Sequence, residues 1–233
     1  MRLHRFYTDK PISNETFDIA DRDTIHQWRN VFRYNVGSQV IFFDGSGFDF
    51  LCIITSLRNL GATLSVLEKK VNAKGFLRNI WLCMAIIKKD NFEFIVEKTT
   101  ELGVMHIIPL LCERSEKKNL NLERLQKIAT ESSEQSGRTI APKIHDIETF
   151  SDALRNNLLP EDKIALHPEG EYIGDFLADK NPKDLTVFVG PEGGWSDKDL
   201  EQFEKNNIPR ISLGSQILRA ETAAIAVSSL LLL

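Results

Sequence analysis

From Ile80 to the C-terminus, short apolar runs alternate with segments of helical periodicity. No other feature of the chain restricts its fold so strongly. Runs at Ile80–Ile87, His106–Leu111, Lys163–His167, Leu185–Val189 and Arg210–Leu213 have the length of buried strands. Helices are expected between them. Over Asn91–Leu102, Phe92, Ile95, Val96, Thr99 and Leu102 recur at helical spacing until Gly103 stops the pattern. Further helices are expected at Leu122–Gly137, Ile147–Asn157, Tyr172–Ala178, Asp197–Asn206 and from Ala220 onward, with Ser196 and Asp199 forming a capping box. Strands alternating with helices predict a parallel sheet covered on both faces.

The first part of the chain reads differently. β-branched and apolar runs at Thr16–Ala20, Ser38–Asp44, Phe48–Ser56 and Ala62–Val71 predict a small β-rich module over residues 1–71. Asp44-Gly-Ser-Gly47 marks a turn. One helix, roughly Asp21 to Arg33, places Ile25, Trp28 and Phe32 on one face and Arg22, His26, Arg29 and Arg33 on another. Asn72-Ala-Lys-Gly75 reads as a linker, which leaves 72–233 as the second domain.

The 233 residues include 42% hydrophobic and 27% charged side chains, an ordinary globular balance. Cys52, Cys83 and Cys112 each sit in an apolar run without a CxxC pair, which fits a reducing cytoplasm. His4, His26, His106, His145 and His167 are scattered without ligand spacing, so no metal is expected. The N-terminus has no apolar core of a signal peptide, and no apolar stretch approaches the ~20 residues of a membrane span. A net charge of −4 argues against a strongly basic, non-specific nucleic-acid binder but allows a local basic patch.

Two of the C-terminal strands break into glycine-bearing loops, Gly190-Pro-Glu-Gly-Gly194 and Leu213-Gly-Ser-Gln-Ile-Leu-Arg-Ala-Glu-Thr-Ala223. Ligands in open α/β sheets bind outside the carboxyl ends of the strands. The first loop has neither the dinucleotide nor the phosphate-loop spacing, and a plain tight turn explains it equally well. In the second, Arg219 and Glu221 read either as a loop ion pair with a helix-start acid or as pocket groups beside Ile217 and Leu218. Leu166-His-Pro-Glu-Gly170 ends a third strand at an equivalent point.

Charged clusters leave two readings open. Arg22, His26, Arg29 and Arg33 suit phosphate contacts or a solvated helix face. Glu131, Gln135 and Arg138 suit a solvated face or a grip on a polar substrate, as do Glu113-Arg-Ser115, Lys88 and Lys89.

Taken in order, His4-Arg-Phe6, His26-Gln-Trp-Arg-Asn-Val31, Lys98-Thr-Thr-Glu-Leu-Gly-Val104, Glu134-Gln-Ser-Gly-Arg138, Gly190–Gly194 and Leu213–Ala223 resemble the RsmE family across essentially the whole chain. These are SPOUT-class methyltransferases of small-subunit ribosomal RNA. The resemblance implies an N-terminal PUA-like β-barrel that binds RNA. It also implies a C-terminal α/β-knot methyltransferase domain whose deep trefoil knot forms the S-adenosylmethionine site. It further implies a homodimer that methylates N3 of a uridine in the decoding region of 16S rRNA.

Carried onto this chain, the cofactor site comprises Leu166, His167, Gly190, Pro191, Glu192, Gly193, Gly194, Leu213, Gly214, Ile217, Leu218, Arg219, Thr222 and Ala223. Trp195 is a further candidate wall. Arg219 is expected to stabilise developing charge or hold a phosphate, with Glu221 and Glu192 as the candidate proton acceptors. Arg5, Arg22, Arg29, Arg33, Arg114 and Arg138 are the expected RNA contacts. The competing readings are a SPOUT enzyme acting on another RNA position, such as a ribose 2′-hydroxyl, and a non-catalytic RNA-binding assembly factor.

Overall fold

The computed structural model describes residues 3–72 and 78–233. Of the expected linker, residues 73–75 lie outside the described residues. The chain forms two compact units, one of Met1–Lys74 with Ser133–Ala141, the other of Gly75–Ser132 with Pro142–Leu233.

The first unit is a five-stranded sheet in the order β1-β3-β4-β5-β2. Its strands are β1 (Arg5–Tyr7), β2 (Thr16–Ile19), β3 (Gln39–Phe43), β4 (Phe48–Arg58) and β5 (Gly61–Val71). β1 runs parallel to β3 and the other pairs are antiparallel. β1 was not expected, because three residues carry no readable alternation. Helix α1 (Arg22–Asn30) is capped by Asp21 and buries Ile25 and Trp28 against Phe6, Phe42 and Ile54.

The helix predicted to reach Arg33 ends at Asn30. The Val31 and Phe32 N–H groups both donate to Gln27 O, Tyr34 N–H closes on Trp28 O, and Arg33 has a φ of 55°. Arg33 is therefore not on the helix face with Arg22 and Arg29.

Ser133–Ala141 is tied to β1 within this unit. Tyr7 N–H donates to Glu134 Oε1 at 2.8 Å, and Arg5 donates to Arg138 O at 3.1 Å.

The second unit is a parallel sheet in the order β12-β10-β11-β6-β7-β8, with β9 also paired to β7. Its strands are β6 (Asn79–Ala85), β7 (His106–Leu111), β8 (Lys143–Ile144), β9 (Glu148–Thr149), β10 (Lys163–Tyr172), β11 (Asp184–Val189) and β12 (Arg210–Ser212). The helices are α2 (Lys89–Leu102), α3 (Leu122–Ser136, its residues from Ser133 onward belonging to the first unit), α4 (Phe150–Arg155), α5 (Ile173–Asp179), α6 (Asp197–Lys205) and α7 (Ala220–Leu232). Phe92, Ile95, Val227 and Leu231 join a core on one face of the sheet; Phe150, Phe188, Trp195 and Phe203 join a core on the other. Such two-sided burial matches strands that read as continuous apolar runs.

Gly103 ends α2 at a φ of 116°, and the Ser196–Asp199 capping box opens α6. The segment Ile147–Asn157 is not one helix. Glu148 and Thr149 pair with Leu110 and Leu111 of β7, and Thr149 then caps α4.

The Leu166–Gly170 segment does not end its strand either. Leu166 pairs with Ile211, the chain bulges, and Glu171 pairs with the same Ile211, so β10 continues to Tyr172. Gly170 makes the return possible: a Cβ there would lie 2.4 Å from the Arg210 carbonyl carbon and oxygen.

Candidate functional site

β12, β10 and β11 are neighbours in the sheet, so the segments that leave their pairing lie side by side. These are the β10 bulge, the Gly190–Trp195 loop after β11 and the Leu213–Arg219 loop after β12. They line a cavity of about 500 Å³. That volume lies in the range of small-molecule sites, roughly 300–1,000 Å³.

Val189, Ile211, Leu166 and Ala220 supply buried apolar surface. Gly190, Pro191, Gly194, Leu213 and Gly214 bring backbone to the wall. Gly194 and Gly214 have φ values of 69° and 135°, a region that side-chain-bearing residues rarely adopt. Ser212 stabilises the second loop by accepting from Gly214 N–H at 3.3 Å and donating to Gly214 O at 3.0 Å.

Of the expected cofactor residues, His167, Glu192, Ile217, Leu218, Arg219 and Ala223 also line the cavity, whereas Gly193 and Thr222 are not in its wall. Ile217 is 86% exposed, an unusual degree for an apolar side chain beside a glycine loop. Pro168 and Gln216, which lie within the segments expected to form the site, and Ser212, just before the second loop, are also in the wall.

The charged candidates separate clearly. Glu192 is in the wall, and its Oε1 lies 3.5 Å from the Lys88 N–H. Glu221 is in the first turn of α7, outside the wall; its Oε2 is buried without a hydrogen-bond partner among the described residues. Arg219 lines the cavity at the N-cap of α7 and makes no side-chain cap bond. Among the described residues no ion pair joins Arg219 to Glu221.

Arg114 also lines the cavity. Its Nη1 donates to Gly193 O at 3.1 Å and to Trp195 O at 2.9 Å. The Trp195 indole in turn donates to Leu166 O at 3.0 Å.

The other expected RNA contacts lie in the first unit. Arg5 forms a bidentate ion pair with Asp49, both bonds 2.6 Å, and is nearly buried. Arg138 is 7% exposed, and burial lowers its pKa to about 10. Arg22, Arg29 and Arg33 are exposed, although Arg29 is held by Asn59 Oδ1 and Leu57 O. Arg29 and Arg33 line a second recess with Asn30, Tyr34, Asn35, Val36 and Leu57.

Among the described residues, no group of three or more His, Cys, Asp or Glu side chains is placed to hold a metal. No helix there is long and apolar enough to cross a membrane.

The chain is 34% identical over 97% of its length to ribosomal RNA small subunit methyltransferase E of Rickettsia conorii, covering 93% of that protein. Residues 76–232 match the model of the RNA methyltransferase domain. The chain belongs to the ribosomal RNA small subunit methyltransferase E family. The Bacillus subtilis family member is 29% identical, with 89% of this chain and 86% of that protein aligned. The Neisseria gonorrhoeae member, solved bound to S-adenosyl methionine, superposes with a TM-score of 0.88 at 28% identity, covering 98% of this chain and 96% of that one. The family-model match spans all three cavity-lining segments.

Proposed function

We propose that this chain transfers a methyl group from S-adenosylmethionine to N3 of a uridine in the decoding region of 16S rRNA. The observation that carries the reading is the convergence of three loop segments from adjacent parallel strands on one cavity, in a chain that superposes closely on a family member bound to that cofactor. The residues fit the group. Apolar side chains and glycine backbone suit an adenosine, and Glu192 is a carboxylate in the wall. When bound, adenosylmethionine supplies a methyl already activated on its sulfonium.

The protein's remaining work is orientation and charge. Uridine N3 carries a proton that must leave as its nitrogen attacks. Glu192 is assigned as the proton acceptor because it lines the cavity and Glu221 does not. Arg219, exposed and without a carboxylate partner among the described residues, is assigned to the charge that develops on the uracil or to its phosphate.

The same reading takes the first unit as the PUA-like RNA-binding barrel and the second as the knotted methyltransferase domain, in a cytoplasmic protein. Arg22 and Arg33 are its RNA-facing cations; Arg5, paired with Asp49, serves the unit internally. The active form is a homodimer, supported by apolar side chains left open at the end of α7, Leu230 at 52% and Leu233 at 83% exposure.

The test supplies labelled adenosylmethionine and small subunits from a strain lacking the enzyme, then identifies the modified nucleoside by mass spectrometry. 3-Methyluridine at one site is expected. A ribose-methylated nucleoside replaces the N3 assignment, and no methylation with no cofactor binding in calorimetry overturns the enzymatic reading.

A further inference from the structure

The Gly190–Trp195 loop has little structure of its own. Its one internal backbone bond in the turn runs from Gly194 N–H to Pro191 O at 2.9 Å. Two side chains hold it from outside. Arg114, just past β7, uses a single nitrogen to bind the carbonyls of Gly193 and Trp195. Trp195, at the far end of the loop, uses its indole N–H to bind Leu166 O at the edge of the β10 bulge. The two tethers join three neighbouring parts of the sheet: the end of β7 through Arg114, the end of β11 through the loop and the β10 bulge through Leu166.

The glycines are packed against these tethers. A Cβ on Gly193 would meet the Arg114 Cβ at 3.4 Å, and one on Gly190 would meet the Trp195 indole at 3.1 Å. Both glycines therefore let the loop lie close on the side chains that fix it. Arg114 has no carboxylate partner among the described residues, so its fixed hydrogen bonds all go to this loop. A loop ordered before its ligand arrives does not lose that freedom on binding, and the affinity rises accordingly.

We propose that Arg114 is a positioning residue of the cofactor site: it clamps Gly193–Trp195 in the shape that accepts adenosylmethionine, and it is not an RNA contact. The proposal rests on the reading of the cavity as the adenosylmethionine site.

The experiment compares the full-length wild-type protein with Arg114→Ala and Arg114→Lys. It reads adenosylmethionine Kd by calorimetry, KM for the small subunit, and the thermal midpoint of the ligand-free protein. Arg114→Ala should weaken cofactor binding by about ten- to a hundredfold, the effect of losing two hydrogen bonds from a charged donor. Arg114→Lys should recover part of it, because an ammonium still donates but cannot reproduce the planar geometry. KM for the small subunit and the thermal midpoint should stay near wild type. Trp195→Phe, which removes only the second tether's donor, should give a smaller loss of the same kind.

A raised subunit KM with unchanged cofactor affinity would make Arg114 an RNA contact and overturn the proposal. So would a fall in thermal midpoint that accounts for the affinity loss in both Arg114 variants. Failure of the wild-type protein to bind adenosylmethionine defeats instead the reading on which the proposal stands, and is distinguishable because it appears before any substitution.

Discussion

The parallel sheet of the second unit has two ends, and they are built to opposite specifications. At the β10 bulge and where β11 and β12 finish, the chain opens a cavity walled by glycine backbone, with Arg219 and Glu192 left exposed. Where β6 and β7 begin, the sheet is closed by rings. Trp81 stacks on His106 with centroids 3.7 Å apart and planes 17° from parallel, and His106 Nδ1 lies 3.0 Å from His145 Nε2. The same sheet therefore leaves Arg219 and Glu192 exposed at one end and packs its rings together at the other. Groups exposed at a strand-end cavity are free to serve a ligand, and groups buried against one another serve the fold. Substitutions at the open end should change turnover and spare stability; those at the closed end should do the reverse.

The largest effect should come from Glu192→Gln. Removing a general base typically costs 10²–10⁴ in rate, so kcat should fall within about that range while the thermal midpoint holds. Glu221→Gln should lower kcat less than about threefold, since its carboxylate is outside the cavity wall. Steady-state kinetics on small subunits decides between them, and a larger loss in the Glu221 variant reverses the assignment. Arg219→Ala comes next. Loss of one preorganised donor at developing charge costs about 10²–10³ in kcat. Circular dichroism and calorimetry should show a folded protein that still binds adenosylmethionine. Near-normal turnover would remove Arg219 from the chemistry.

What the sequence disclosed follows the same division. The open end was legible because its demands are local: glycines after apolar strands, at positions such as Gly194 and Gly214 where φ is positive. The strand–helix alternation from Ile80 onward likewise predicted the parallel sheet, since period and length are properties of short windows. The Arg114 clamp was not legible. It joins residues separated by 79 and 81 positions, and an arginine after a strand looks the same whether it faces RNA or a carbonyl. The burial of Arg138 and the Arg5–Asp49 ion pair were illegible for the same reason, since both depend on residues distant in the sequence. His106 and His145 read as scattered, yet β7 and the segment after β8 bring them into contact. The Ile147–Asn157 segment failed differently: a two-residue strand followed by a short helix leaves apolar spacing that a single helix would also produce.

Gly170 lies at the open end, yet its replacement should affect stability. Its missing Cβ would fall 2.4 Å from the backbone of Arg210, where no side chain can rotate away. Gly170→Ala should destabilise the protein by about 1–3 kcal/mol through forced separation of β10 from β12. Urea denaturation measures it. A variant as stable as wild type would mean that the bulge relaxes freely, and that this end of the sheet carries no packing constraint of its own.

The smallest effect belongs to the closed end and appears as a pH dependence. Burial, reinforced by the neighbouring His145 and Lys143, lowers the His106 pKa from 6.5 to about 4. Burial and Lys143 lower that of His145 as well, while Asp146 opposes the shift. Both imidazoles are thus held neutral in the fold and take up protons more readily when the chain unfolds. Between about pH 6.5 and 4 the unfolded chain binds more protons, so the stabilisation is complete above that window and lost as pH falls through it. Solvent reaches the half-buried rings, which limits the swing to on the order of 1 kcal/mol. Urea midpoints at pH 7.5, 6 and 5 should fall in that order beyond what the carboxylates contribute. His106→Phe, which keeps a ring against Trp81 but cannot titrate, should flatten the slope and leave kcat unchanged at pH 7.5. A slope unaffected by the substitution would show that the ring stack closes this end by packing alone, without the histidine protonation equilibrium that distinguishes it from an apolar cluster.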